Sequence, residues 1–153
     1  MARPVTRFTL RDDARQLLAL LQAMTSSAFR PILWNRALEL ELTYAQGQVL
    51  SYVHRHPGSP MTAIARAYGV TLPAISQVVE RLAEKDLLVR REDPRDRRAS
   101  RLRLTRDGDT LARELEDAQV AGLRAVLGRL SADDRRKLLA GLDALVSAAV
   151  QEG

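Results

Sequence analysis

The sequence predicts a mainly α chain with a small β wing. Apolar residues recur at helical spacing through most of its 153 residues, one short stretch alternates apolar and basic residues instead, and basic charge collects in that same stretch. From Arg90 to Arg106 eight arginines face three acids, a local excess of five that equals the net charge of +5 on the whole chain. Everything else is neutral in sum. Charge gathered in this way beside a pair of short helices is the electrostatic footprint of a surface that grips a phosphate backbone.

The N-terminal region reads as helix. Leu10, Ala14, Leu17, Leu18, Leu21, Met24 and Ala28 fall on one face of a long amphipathic segment. Pro31 removes a backbone donor and clashes one turn back, so a kink or a break is expected near Ser27 to Arg30 before helix resumes through Leu33, Ala37 and Leu40. Thr43 and Gln46 have the spacing of a capping box, and Val49, Leu50 and Val53 then ride one face until Pro57-Gly58 ends the helix. Ser59 before Pro60 offers an N-cap and a first-turn proline for a short helix carrying Ile64, Ala65 and Tyr68, which Gly69 stops.

Thr71 caps the following helix. In it Ile75, Val78, Val79 and Leu82 face inward, and Ala74, Ser76, Gln77, Glu80, Arg81 and Glu84 face out. Two short helices about a tight turn predict a helix-turn-helix. Beyond Asp86, Leu87-Leu88-Val89 and Arg101-Leu102-Arg103-Leu104 read as two short strands around a turn at Asp93-Pro94, a basic hairpin or wing. Thr105 caps a helix with Leu111, Leu115, Ala118, Gly122, Ala125 and Val126 near one face, and Ser131 starts another along Leu138, Leu139, Leu142, Leu145, Val146 and Ala149.

The outer helices carry more apolar surface than one winged module covers, which predicts packing across a two-fold axis in an obligate homodimer. Three regions follow: 1–42, an N-terminal dimerisation region; 43–106, a winged helix-turn-helix; and 107–153, C-terminal dimerisation helices.

Composition excludes several classes. With no cysteine the chain has no disulfide framework and no thiolate metal site, which is compatible with a reducing cytoplasm. The run from Leu17 to Leu21 is too short for a membrane span or a secretory segment, so a cytoplasmic protein with no membrane partner is expected. His54 and His56 are the only histidines, and no Cys or compact acidic set completes a zinc sphere. No nucleophile elbow, Walker loop or dinucleotide fingerprint occurs, so neither a cofactor nor enzymatic activity is expected. Lys85 and Lys137 are the only lysines; arginine dominance suits bidentate phosphate contacts, and a genome rich in G and C gives the same bias.

Taken together, Leu42-Thr43-Tyr44-Ala45-Gln46, the turn from Ile64-Ala65 to Gly69-Val70-Thr71, the helix Ile75-Ser76-Gln77-Val78-Val79-Glu80-Arg81-Leu82 and the hairpin Arg91-Glu92-Asp93-Pro94-Arg95-Asp96-Arg97-Arg98 resemble the MarR family of winged-helix regulators. Leu104-Thr105-Arg106-Asp107-Gly108 completes the pattern. The resemblance implies a homodimer on double-stranded DNA, with recognition helices in successive major grooves and wings in flanking minor grooves. It also implies repression of a promoter until a small ligand binds.

On this resemblance Thr71, Pro73, Ala74, Ser76, Gln77 and Arg81 occupy the recognition-helix positions that face DNA. Gln77 and Arg81 have the chemistry to read adenine and guanine edges, while Thr71 and Ser76 suit phosphates. Arg98 matches the arginine that enters the minor groove, Asp96 orients it, and Arg95 and Arg97 lie beside it.

Two positions depart from the family pattern. Asp86 stands where the family commonly has glycine, although aspartate tolerates the left-handed turn. Gly47 stands inside a helix where many relatives carry a bulky residue, which leaves space there. Ligands of the family usually sit nearby, and Met24, Phe29, Trp34, Arg36, Tyr44, Gly47, Tyr52 and His54 have suitable chemistry for a small aromatic or phenolic effector. Aromatic residues at helical spacing are more often core, so both readings of this set stay open. A solvated hairpin accounts for the arginines less well, because surface ion pairs contribute only about 0–1 kcal/mol each. The alternative function is a winged-helix protein-interaction module whose basic hairpin meets an acidic partner, as in an antirepressor.

Overall fold

The computed structural model describes residues 9–24, 29–93 and 100–150, with the side chain of Trp34 also outside the description. Among the described residues seven helices and two strands follow in the order α1 (Leu10–Met24), α2 (Arg30–Glu39), α3 (Tyr44–Arg55), α4 (Met61–Tyr68), α5 (Leu72–Glu84), β1 (Leu88–Glu92), β2 (Ser100–Leu104), α6 (Arg106–Leu127) and α7 (Ala132–Val150). A mainly α chain with a small antiparallel wing is therefore what the sequence folds into. Pro31 lies in the first turn of α2, where its missing N–H costs no helical bond, so the proline starts a new helix.

Helix starts follow from local chemistry. The Thr43 side chain accepts from Gln46 N–H at 3.2 Å while Gln46 Oε1 accepts from Thr43 N–H at 2.9 Å, a complete capping box. Thr105 caps α6 through Gly108 N–H at 3.0 Å, and Ser131 caps α7 through Asp134 N–H at 3.1 Å. Asp86 takes a φ of +56°, the left-handed turn expected of it. Ser59 does not cap α4. Residues 58–60 instead run along β2, with Gly58 N–H donating to Leu102 O and Leu102 N–H to Ser59 O, and the Ser59 hydroxyl turns back to His56 O at 2.7 Å. Pro60 takes the cap position without a side-chain bond.

The core is one cluster. Val49, Leu50 and Val53 of α3, Ile64 of α4, Val79 and Leu82 of α5, Leu88 of β1, Leu102 of β2 and Leu115 of α6 are all essentially inaccessible. Each such side chain is worth about 1.5–3 kcal/mol of burial, so this cluster fixes the winged module and the first half of α6 as one unit. Neither α1 nor α7 buries a residue. Leu18, Leu20 and Leu21 of α1 and Leu139, Leu142, Leu145 and Val146 of α7 stand exposed. No helix among the described residues is long and apolar enough to cross a membrane.

Candidate nucleic-acid interface

The turn between α4 and α5 is built from its end residues. Gly69 adopts a left-handed φ of +62°, Val70 N–H closes on Ala65 O at 3.0 Å, and Thr71 accepts from Ala74 N–H at 3.4 Å to start α5. Pro73 sits in the first turn of α5. Ile75, Val79 and Leu82 are buried, so the opposite side of the helix is turned to solvent. Thr71, Pro73, Ala74, Gln77, Glu80 and Arg81 are exposed there, and Ser76 is half-buried. Gln77 and Arg81, four residues apart, share one stripe of that helix.

The wing stands beside this face. β1 pairs antiparallel with β2 in the register Leu88 with Leu104, Arg90 with Leu102 and Glu92 with Ser100. Both strands run longer than their apolar residues alone predict, from 88 to 92 and from 100 to 104, because Arg90 and Arg91 continue the pairing. Arg90 lies on the core-side face of the strand and reaches α5: its Nη2 is 3.5 Å from Ser76 Oγ and 3.6 Å from Glu80 Oε1. Ser76 Oγ in turn donates to Glu80 Oε1 at 3.2 Å. Helix and wing are thus held side by side, with the acid of the outward face matched by a cation.

At the far end of β1, Asp93 is 7% exposed and accepts from Arg101 Nε at 2.7 Å, while Arg101 Nη1 donates to Gly58 O at 3.1 Å. This links both strands to the α3–α4 turn. Nothing in the local sequence marks Asp93 as anything but a turn residue; its partner lies eight positions on, across the hairpin. Arg95, Asp96, Arg97 and Arg98 lie outside the described residues.

The candidate effector residues divide. Met24 and Tyr44 line an apolar cleft of about 570 Å³ with Leu21, Leu33, Leu42 and Arg30. Phe29 is half-buried at the start of α2. Arg36 points to other partners, Glu39 at 3.0 Å and Glu114 at 3.2 Å, whose carboxylates raise its pKa further. Gly47 is buried in α3. Tyr52 packs against the rings of Tyr68, edge-on at 5.9 Å, and His56 at 4.8 Å. Burial pushes the Tyr68 phenol up, and its hydroxyl donates to Gln48 O. His54 borders a separate cleft of about 210 Å³ with Ser51, Arg55 and Glu116. Its Nδ1 lies 2.7 Å from Asp109 Oδ1, so that nitrogen carries the donated proton and α3 is tied to the first turn of α6. Among the described residues no cluster of three or more metal-ligating side chains occurs.

A helix-turn-helix whose second helix shows a polar stripe beside a cationic two-stranded hairpin defines a winged helix-turn-helix protein. Residues 40–99 match the model of the MarR family. The whole chain also superposes on solved structures of that type. A crystal structure of MarR matches at 23% identity and a TM-score of 0.73, covering 98% of this chain and 97% of that one. The PcaV transcriptional regulator from Streptomyces coelicolor, in complex with its natural ligand, matches at 28% identity and a TM-score of 0.61, covering 97% and 99%. The MepR–DNA complex of S. aureus matches at 22% identity and a TM-score of 0.66, covering 93% and 99%. Residues 40–99 therefore carry the MarR-family pattern, and the rest of the chain shares the fold of those structures.

Proposed function

We propose that this protein is a cytoplasmic, sequence-specific regulator of transcription that binds double-stranded DNA as a homodimer and represses until a small effector binds. It works as a binding protein and not as an enzyme. The observation that carries the reading is the Arg90 bridge to Ser76 and Glu80, which keeps the outward face of α5 and the basic wing on adjoining surfaces. In this reading α5 lies in a major groove, with Gln77 and Arg81 at base edges and Thr71, Pro73, Ala74 and Ser76 along the backbone. Arg95, Arg97 and Arg98, with Asp96 orienting Arg98, enter the flanking minor groove.

The unburied apolar faces of α1 and α7 support a two-fold partner, with regions 1–42 and 107–153 forming the dimerisation part around the module of 43–106. Two-fold symmetry then calls for a pseudo-palindrome with half-sites about 10 base pairs apart. The cleft lined by Met24 and Tyr44 supports an aromatic or phenolic effector, the complex of PcaV with its natural ligand being a relative's example of ligand binding. Arg36, Tyr52 and His54 face other partners and stand outside that cleft in this reading.

The test is selection of binding sites from a random duplex pool, followed by gel shifts at two salt concentrations. A palindromic site bound less tightly at high salt is expected. Selection of no site would leave the protein-interaction alternative. Release of that site by an aromatic acid, from a panel of such acids, tests the effector.

A further inference from the structure

Cross-strand pairing sorts the wing arginines onto two faces. Arg90 pairs with buried Leu102 and reaches α5, whereas Arg91 pairs with Arg101 and Val89 with Arg103 on the opposite, outer face. Like charges placed directly opposite each other weaken a two-stranded sheet, so the Arg91–Arg101 pair is a cost that folding alone does not explain. Asp93 offsets one of these cations by its bond to Arg101. The Arg91 and Arg103 side chains make no hydrogen bond or ion pair among the described residues, and both residues are exposed. With Gly58 of the α3–α4 turn they border a cleft of about 420 Å³ whose acids are Asp93, already bonded to Arg101, and Glu92. Arg103 runs past Gly58, its Nη2 being 3.9 Å from where a Cβ on that glycine would stand.

We infer that this outer face of the wing sheet is a second phosphate-binding surface, on which Arg91 and Arg103 take the backbone of the duplex beyond the segment that α5 reads. The inference rests on the DNA-binding reading above. The outer face points away from α5, so the phosphates it takes flank the site that α5 reads. Arg101, bonded to Asp93 and Gly58 O, is the positioning residue that fixes the spacing between the two free guanidiniums. The ligand is the phosphodiester chain itself, without base readout.

The test uses the full chain on random-sequence duplexes of about 20 and about 40 base pairs, the shorter holding two half-sites and little more. Affinity is followed across a fourfold rise in salt. The wild type is expected to show a steeper loss on the long duplex than on the short one. In the Arg91→Gln, Arg103→Gln double variant the two losses become equal, and the fall on the long duplex shrinks by about a hundredfold, the effect of roughly four phosphates, two for each protomer of the dimer. Helical circular dichroism confirms that the variant is folded. Equal slopes of the wild type on both duplexes, or an unchanged slope in the double variant, overturn the outer-face site and leave DNA binding by α5 standing. No binding of the wild type to either duplex also overturns the outer-face site, whereas selection of no site from a random pool overturns DNA binding by α5.

Discussion

Gly108 lies so close to the Leu87 carbonyl that a Cβ on it would stand 1.8 Å from the oxygen and 2.8 Å from the carbon. Thr105 closes the same junction, with its N–H donating to Leu87 O at 3.1 Å and its hydroxyl donating to Asp86 O at 2.6 Å. The obstacle is backbone, so no side chain can turn aside, and this is the physical content of the Leu-Thr-x-x-Gly pattern. Gly108→Ala is expected to destabilise by about 1–3 kcal/mol or more as α6 moves off the wing. Gly141, with nothing within 4 Å of its Cβ position, is the contrast, and Gly141→Ala is expected to be neutral or stabilising by about 0.5–1 kcal/mol. Urea denaturation measures both, and a Gly108→Ala midpoint equal to wild type would refute the contact.

Arg90 faces Glu80 at 3.6 Å on an exposed surface, so the pair contributes little to folding. Its expected effect is on binding, since Arg90→Ala leaves an unmatched carboxylate on the face offered to phosphates. A loss of roughly 1 kcal/mol in affinity is expected, with most of it recovered in the Arg90→Ala, Glu80→Gln double variant. Gel shifts on the selected site close the cycle. Equal losses in single and double variants would mean that Arg90 itself touches DNA and that Glu80 is a bystander.

Local chemistry explains why so much of this fold was legible. Thr43, Thr71, Thr105 and Ser131 cap their helices through bonds to residues three positions on, and such bonds are written in the sequence. Ser59 shows the limit, because pairing of residues 58–60 with β2 overrides the local cap, and that pairing depends on a strand more than forty residues away. The same holds at the site. The outward face of α5 follows from helical period alone, but the Arg90–Glu80 and Asp93–Arg101 contacts depend on wing register, which neither strand specifies by itself.

The resemblance places Arg98 in the minor groove, and its contribution is separable from that of the outer face. Arg98→Ala is expected to weaken binding to the selected operator and flatten its salt slope by at most about one phosphate equivalent per protomer. Binding titrations at several salt concentrations measure the slope. Unchanged affinity and slope would remove Arg98 from the contacts.

The apolar side of α7 is expected to be covered by a second copy. Leu142 and Leu145 lie three residues apart, both about 40% exposed, at 42% and 41%. Leu142→Asp with Leu145→Asp puts two charges into that seam and is expected to shift the mass by light scattering from twice 17.0 kDa to 17.0 kDa. A wild-type protein that already runs as a monomer at micromolar concentration would sink the dimer.

The N-terminus of α7 supplies a pH dependence. Lys137 and then Arg136 hold the Asp133 carboxylate below its ordinary value of 3.8. Because the folded pKa lies below the unfolded one, the stabilisation is complete above the ordinary value and is lost as pH falls through the folded value. Asp133→Asn should therefore lower the melting temperature at about pH 7, and the difference from wild type should vanish at an acid pH below the folded pKa. Asp133 also sits at the positive end of the helix, and its charge there acts in the same direction. Raising the salt should shrink the difference at neutral pH, since the group is fully exposed and its partners are screened. An equal drop at both pH values would show that the asparagine acts through capping geometry and not through charge.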